Sequence, residues 1–375
     1  MMDEVNFKVN LSYGNNEYLQ DDGAKARQLM FIFWGIMIPI ISGIGIIGNI
    51  LTIIVLWRRE MQSTTIYFLR TLVITDTGII IGACIGLTTV AITQLNPNMW
   101  LYTDVIYPKI YTPTNFIVMS LQMINVWVTV AVSVERFIAI CIPFYAVKIC
   151  NKRNAFITLL IIVWASIAYN IPRCFATTFH ECGEPDMREC FTIVTTSFGK
   201  EYFFTKVYSV WMYMVLIYIV PLLALGVLNT LLVVELMKMR KRRIGTSIQD
   251  DNEANMALVL IIIVLVFIIC QTPGLVAQFE FLEPDVFLNW LCISNTLFVL
   301  NSSVNFLIYT AVGRRFRKVL LRVFRVFVKS HVLTDVSKSS LIKNGNTMNM
   351  NHLNDKGEPD DNSENNERCR LTATR

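Results

Sequence analysis

Histidine is nearly missing from this chain: three in 375 residues, at His180, His331 and His352. All three stand outside the long apolar stretches, so no paired ligands and no nucleophile with a base can assemble there. A membrane hydrolase would lack its parts. Charge is scarce too, at 16% of residues, against about 25% in a soluble domain. Met1 to Gly23 has no apolar core, so no secretory leader is visible and the first long apolar segment is expected to direct insertion itself. No internal repeat is visible, which counts against a transporter built from two echoing halves. A channel or transporter would also need acids or bases along its path, and here Asp76 is the one acid deep in any apolar stretch.

Apolar residues fill the space that charge leaves, at 54% of the chain, and they come in blocks. Charge-free windows cover 28–57, 110–134, 154–172, 207–234, 254–279 and 286–313, and a seventh, 71–103, is broken only by Asp76. A helix needs roughly 20 apolar residues to cross a bilayer. Backbone polar groups in lipid must be satisfied within the segment, so each window predicts a helix. The fold class expected is an all-α bundle of seven transmembrane helices.

Basic residues orient it. Arg58, Arg59, Lys148, Lys152, Arg153 and the run Lys238 to Arg243 fall on one side, with Arg314 to Arg325. The other side carries fewer bases and Glu181, Glu184, Asp186, Glu189, Glu280, Glu283 and Asp285. The N-terminus is therefore expected outside and the C-terminus in the cytoplasm. The net charge of +5 reflects this topology and gives a nucleic-acid partner no support. Three regions follow: an outer tail over 1–27, a membrane domain over 28–328, and a polar, disordered inner tail over 329–375. Asn10 opens a glycosylation sequon in the outer tail. Within 313–328, Phe316, Val319, Leu320, Val323 and Phe324 recur at helical spacing among bases, which predicts an eighth, amphipathic helix along the inner membrane surface.

Polar residues inside the bundle are the functional candidates. Asp76 shares its depth with Asn49, Asn125, Gln271, Asn301, Ser302 and Asn305. Of these, Asp76, Asn125, Asn301, Ser302 and Asn305 make a candidate sodium site, the one cofactor-like ligand expected. Plain helix–helix glue is the simpler role, worth about 0.6 kcal/mol per contact. Glu135-Arg136-Phe137 ends the third helix, and Glu253 stands at the same end of the sixth. Arg136 serves there as a snorkelling anchor or, paired with Glu253, as a latch for a two-state switch. Pro221 and Pro273 each remove a helix hydrogen bond and supply hinges.

The ordered set of motifs resembles the rhodopsin-like class of G-protein-coupled receptors over about residues 30–325. It comprises Gly48-Asn49, Leu72 with Asp76, Glu135-Arg136-Phe137, Trp164, Pro221, Cys270-Gln271-Thr272-Pro273 and Asn305-Phe306-Leu307-Ile308-Tyr309. Departures from the usual pattern narrow the branch. Gln271 stands where most members have Trp, and Phe306 where most have Pro. With the run Asn301 to Phe306, these look like invertebrate receptors for FMRFamide-like peptides. Val118 replaces the aspartate of amine receptors and Val299 the lysine of photopigments, while Asn229 replaces a frequent fifth-helix tyrosine.

The resemblance implies no enzyme activity. It implies a plasma-membrane receptor for an extracellular peptide, acting on a heterotrimeric G protein, with arrestin and a receptor kinase on the tail and lipid around it. Its switch residues would be Glu135, Arg136, Glu253, Gln271, Pro273, Asn305 and Tyr309. Ligand contacts are expected from Trp100, Glu181, Glu184, Glu189, Glu280, Glu283 and Trp290, whose acids suit a cationic, amidated peptide. The same acids also read as solvated loop residues and the tryptophans as an interfacial belt. A small-molecule chemosensory receptor is the alternative within the class. The usual disulfide from the top of the third helix is missing, since Tyr111 occupies its place. Cys182–Cys190 is the favoured replacement, with Cys174–Cys292 weaker.

Overall fold

The computed structural model describes residues 25–93, 96–182, 189–242, 248–276 and 284–325. The side chains of 97, 240–242, 248–254, 256, 284 and 285 are excepted. Among these residues seven helices are long and apolar enough to cross a membrane. They are α1 (Lys25–Leu56), α2 (Thr64–Thr93), α3 (Leu101–Cys141), α4 (Lys152–Phe175) and α5 (Phe203–Met239), with α6 (Ile248–Val276) and α7 (Pro284–Val312). The chain divides into two compact units, Met1–Leu320 and Leu321–Arg375. In the first, residues 314–320 are helical, and so are 321–325 in the second. The last three residues of the amphipathic segment lie outside the described residues, as do Asn10 and the tail from 326.

The helices turn apolar side chains outward, unlike those of a water-soluble bundle, and bury polar ones among apolar ones inside. On α1, Ile40, Ile44 and Ile47 are 57–64% exposed, while Ser42, Asn49 and Thr52 are buried. An apolar belt of that size is stable only when lipid or protein covers it. Lipid tails are as apolar as leucine, so close packing and interhelical hydrogen bonds hold such helices together. Glycine permits the closest approaches. A Cβ on Gly45 would stand 2.6 Å from Ser303 Cβ, and one on Gly82 would collide with Val118. The first lets α7 lie against α1, the second α3 against α2.

Adjacency runs in a ring, with α1 against α2 and α7, α2 against α3, α3 against α5, and α6 against α7. Helix α3 is central and also touches α4 and α6. Three apolar clusters fill the interior. Trp34, Leu87 and Leu291 knit α1, α2 and α7, and Val126, Ile217 and Phe267 knit α3, α5 and α6. Leu232, Ala257 and Ile261 close α5 on α6 at the end that bears Arg136.

Two strands cap the opposite end. β1 (Thr177–Glu181) pairs antiparallel with β2 (Phe191–Thr195), Thr177 facing Thr195 and Glu181 facing Phe191. Their β-branched and aromatic residues favour the extended backbone. Cys182 and Cys190 are disulfide-bonded immediately beyond the last pair, so the bridge staples the hairpin to itself.

Wide π turns occur in α1, α2, α3 and α5, and the longest run is in α5. Phe203–Met212 and Met214–Ile219 adopt wide π turns. In an α-helix, residues five apart point about 140° away from each other. With the wide winding, Phe204 and Tyr208 are buried in one cluster and Tyr213 and Ile217 in the next. Such turns gather at functional positions.

Candidate functional site

Midway along the bundle, three helices meet at one carboxylate. Asn125 of α3 donates to Asp76 Oδ1 at 2.8 Å, and Asn305 of α7 donates to Oδ2 at 2.7 Å. Asn125 also donates to Thr75 Oγ1 at 2.9 Å. All four side chains are buried. Each carboxylate oxygen is thus held by an amide, which offsets part of the cost of burying charge. Ser302 stands beside the carboxylate, with its Oγ close enough to interact with it but short of good hydrogen-bond geometry. Asn49 donates to the Ser302 carbonyl at 3.4 Å, and its own Oδ1 is unpartnered. Asn301 and Gln271 are buried but are not among the hydrogen-bond partners of Asp76.

Arg136 ends α3 among buried groups. Its Nη2 donates to Thr65 Oγ1, and its Nε lies 3.5 Å from Glu135 Oε2. Thr65 in turn donates to Glu135 Oε2 at 2.6 Å. Arginine, threonine and glutamate therefore form a closed triangle across α2 and α3. The side chain of Glu253, the partner expected across the bundle, lies outside the described residues. Beside the triangle, Thr64, Trp127, Glu135, Cys150 and Asn154 line a cavity of about 320 Å³. Burial pushes the Cys150 thiol above its ordinary range, and Glu135 adds to the rise while Arg136 opposes it.

The hinge proline stands toward the other end: Pro273 lies inside α6 near its Val276 terminus, and the neighbouring Gly274 lies against Tyr218 of α5. Tyr309 is buried with its ring 5.4 Å from that of Phe316. Asn229, the residue in the fifth-helix tyrosine place, turns inward and donates to its own helix at Leu225 O, 2.8 Å away.

At the hairpin end, Glu181 and Glu189 are exposed on either side of the disulfide, and Trp100 and Trp290 are half-buried. Glu184, Glu280 and Glu283 lie outside the described residues. The hairpin rests on α3 through the hydroxyls of Thr112 and Thr177, 2.9 Å apart, and through Lys109, whose Nζ lies 4.0 Å from the Phe191 ring centre. The second bridge expected, Cys174–Cys292, does not form, and both cysteines are free. Cys292 is buried in α7 against α1 and α2, whereas Cys174 ends α4, which packs on α3 and α2. Their helices stand on different sides of the ring.

Two groups escaped the sequence reading. Arg173 projects between α4 and α5, its guanidinium over Tyr208 and Tyr213. Asn255 of α6 bonds the backbone on both sides of Gly313. Neither stands in a recognisable motif, because both act through tertiary placement alone.

The family described as "7 transmembrane receptor (rhodopsin family)" matches residues 48–330. The FMRFamide receptor of Drosophila melanogaster is 30% identical over 298 residues, which is 78% of this chain and 54% of that relative. The chain thus spans about half of that relative's length. The growth hormone secretagogue receptor type 1 of Mus musculus is 28% identical over 312 residues, 79% of this chain and 82% of the relative. The probable G-protein coupled receptor frpr-1 of Caenorhabditis elegans is 25% identical over 319 residues, 78% and 79% of the two chains. With seven spans, a central carboxylate shared by α2, α3 and α7, and a buried Glu-Arg pair ending α3, the chain belongs to the rhodopsin family of seven-transmembrane receptors, on the side of the FMRFamide-like branch.

Proposed function

We propose that this receptor detects an amidated, cationic peptide of the Arg-Phe-amide type at its hairpin end and passes the signal to a heterotrimeric G protein at its Arg136 end. The observation that carries this reading is the kinship with a receptor named for an amidated peptide, FMRFamide, across 78% of the chain. Basic residues crowd the Arg136 end, among them Arg58, Arg59, Lys148 and Arg153, which supports a cytoplasmic place for it and an extracellular place for the hairpin. Glu181 and Glu189 on the exposed hairpin supply charge opposite to that of an arginine-bearing ligand.

The switch runs through the polar groups. Agonist binding favours a state in which α6 swings outward about Pro273, near the buried Gln271. Asn305 and Tyr309 on α7 shift with it, and Arg136 leaves Glu135 and Thr65 for the G protein. Turning a 1:99 population into 99:1 takes about 5.5 kcal/mol of differential binding, within reach of a peptide with several anchors. What supports a sodium ion at the Asp76 cluster is the ring of neutral oxygens and amides around one buried carboxylate, with Ser302 beside it and Asn49 Oδ1 a buried acceptor without a partner among the described residues. Asp76 would hold such an ion in the resting state, with Asn125, Asn301 and Asn305 around it.

The test is expression in reporter cells with promiscuous G proteins, challenged with a library of amidated peptides. Arg-Phe-amide peptides should activate the receptor at submicromolar concentration. Arg136→Ala should reach the surface and stay silent. Activation by small volatile or polar molecules, with every peptide inactive, would replace the peptide reading with a chemosensory one.

A further inference from the structure

The clearest uncommitted charge in the bundle is Arg173, at the hairpin end of α4. Its Nε donates to Asn170 Oδ1 at 3.1 Å, and Asn170 is itself fixed by a bond to Ser166 O at 2.9 Å. The guanidinium carbon lies 5.4 Å from the Tyr208 ring centre and 5.3 Å from that of Tyr213. Among the described residues no carboxylate lies within ion-pair distance of it.

Both tyrosines present ring faces to this cation. Tyr213 donates its hydroxyl to Gln122 Oε1 at 3.0 Å, and Tyr208 donates to the Tyr169 carbonyl while its oxygen also lies within reach of the guanidinium. Ring faces attract a guanidinium but accept no strong hydrogen bond from its edge. Five N–H groups point outward from a guanidinium, and Asn170 and the Tyr208 hydroxyl do not use them all. Tyr208, Tyr213 and Gln122 are all buried and Arg173 is half-buried, so the cation is partly out of water and, among the described residues, has no counter-charge. Holding a cation so is costly. A ligand that brings an anion recovers the cost.

The geometry points to a carboxylate-binding subsite at Arg173, walled by Tyr208 and Tyr213, that takes an acidic side chain of the ligand. A planar carboxylate matches the guanidinium fork with two parallel hydrogen bonds. This subsite deepens the peptide reading and rests on it. The exposed acids of the hairpin meet the peptide's cation, while Arg173 meets an acid elsewhere in the same peptide. Such a ligand carries both charges, and the receptor reads their spacing.

Two measurements test the assignment. In the first, Phe-Met-Arg-Phe-amide extended with Asp is compared with the same peptide extended with Asn, on wild type and on Arg173→Gln. The Asp peptide should be at least about tenfold more potent than the Asn peptide on wild type. On Arg173→Gln the two should be equal. Arg173→Lys, which keeps the charge and loses the fork, should retain a smaller preference and covers the case in which the glutamine variant fails to reach the surface. An unchanged Asp-to-Asn ratio on the variants overturns the subsite and leaves Arg173 as a strut between α4 and α5.

The second measurement does not depend on signalling. N-acetyl-Asp-Phe-amide at millimolar concentration should raise the melting temperature of the purified wild-type receptor. It should not raise that of Arg173→Lys to the same extent, and the Asn analogue should raise neither. Stabilisation of wild type and variant alike, or of neither, overturns the subsite. Silent peptides together with arginine-dependent stabilisation would instead retire the peptide reading and keep the subsite.

Discussion

The side-chain oxygen of Asn255 accepts the backbone N–H of Arg314 at 2.9 Å, and its nitrogen donates to the Val312 carbonyl at 3.0 Å. One amide of α6 thereby clamps the bend at Gly313 that follows α7. If α6 moves outward on activation, both bonds break. Asn255→Ala should therefore raise ligand-independent signalling several-fold in the reporter assay, at equal surface expression, and lower stability by about 1 kcal/mol. Asn255→Asp keeps the acceptor for Arg314 and loses the donor for Val312, so its basal signal should fall between the two. Basal signals equal to wild type in both variants would mean that the clamp is no part of the switch.

Asp76 ties α2 to α3 and α7 through two amides. Asp76→Ala would leave the buried Asn305 amide without this acceptor and Asn125 with Thr75 alone, at about 1–3 kcal/mol for each unsatisfied group. Asp76→Asn is milder and removes only the charge. Agonist affinity on wild-type membranes should weaken several-fold when sodium chloride replaces choline chloride at equal ionic strength. On Asp76→Asn it should not change. A salt effect that is the same on both receptors removes the sodium site.

The approach of α1 to α7 depends on a residue without a side chain. Gly45→Ala forces a methyl against Ser303, and overpacking of this kind costs about 1–3 kcal/mol. The purified variant should melt several degrees lower. Pairing it with Ser303→Gly removes the nearest opposing atoms, leaving Ile80 Cδ1 at 2.9 Å, the far end of a flexible side chain, and should restore most of the loss. Gly43→Ala, with open space around the added carbon, is the matched control and should melt like wild type.

The hairpin staple closes a short loop, and a bridge over so few residues is worth about 2–3 kcal/mol on chain-entropy grounds. Cys182→Ser with Cys190→Ser should raise hydrogen exchange across Thr177–Glu181 and Phe191–Thr195 while leaving the helices unchanged. Thr112→Ala should loosen the seat of the hairpin on α3 and weaken peptide potency without altering exchange between the two strands. Equal exchange in the double serine variant would show that the strand pairing needs no sulfur.

Lipid imposes a length and a polarity on whatever crosses it, so all seven helices were legible from the charge-free windows. Their ends were not. Helix α3 starts at Leu101 and absorbs Asp104 and Lys109, where the charge-free window opened only at Ile110, because a charged side chain near a bundle's rim can reach water or an aromatic face. Asp76, Asn125 and Asn305 do converge, since their depths along the helices were readable at 1.5 Å per residue. Gln271 has a matching depth but is not a partner of the carboxylate, because depth gives no rotation about the helix axis. The hairpin was read only as a loop, although Thr177–Glu181 and Phe191–Thr195 are rich in β-branched and aromatic residues. Arg173 and Asn255 left no trace. One depends on the π winding that turns Tyr208 and Tyr213 toward it, the other on a backbone bend in a different helix.

Because the sulfur bridge joins the two strands to each other and not to α3, the roof of this receptor combines a stiff frame with a soft mounting. Oxidation fixes its outline at the tip. Its base is tied where Thr196 meets Ala176 and Phe175, and Ala176 is packed on α5, while on α3 it leans through one pair of hydroxyls and one ammonium resting on a ring. A displacement of the roof would therefore turn about its base as a plate, without unravelling a rung of its ladder.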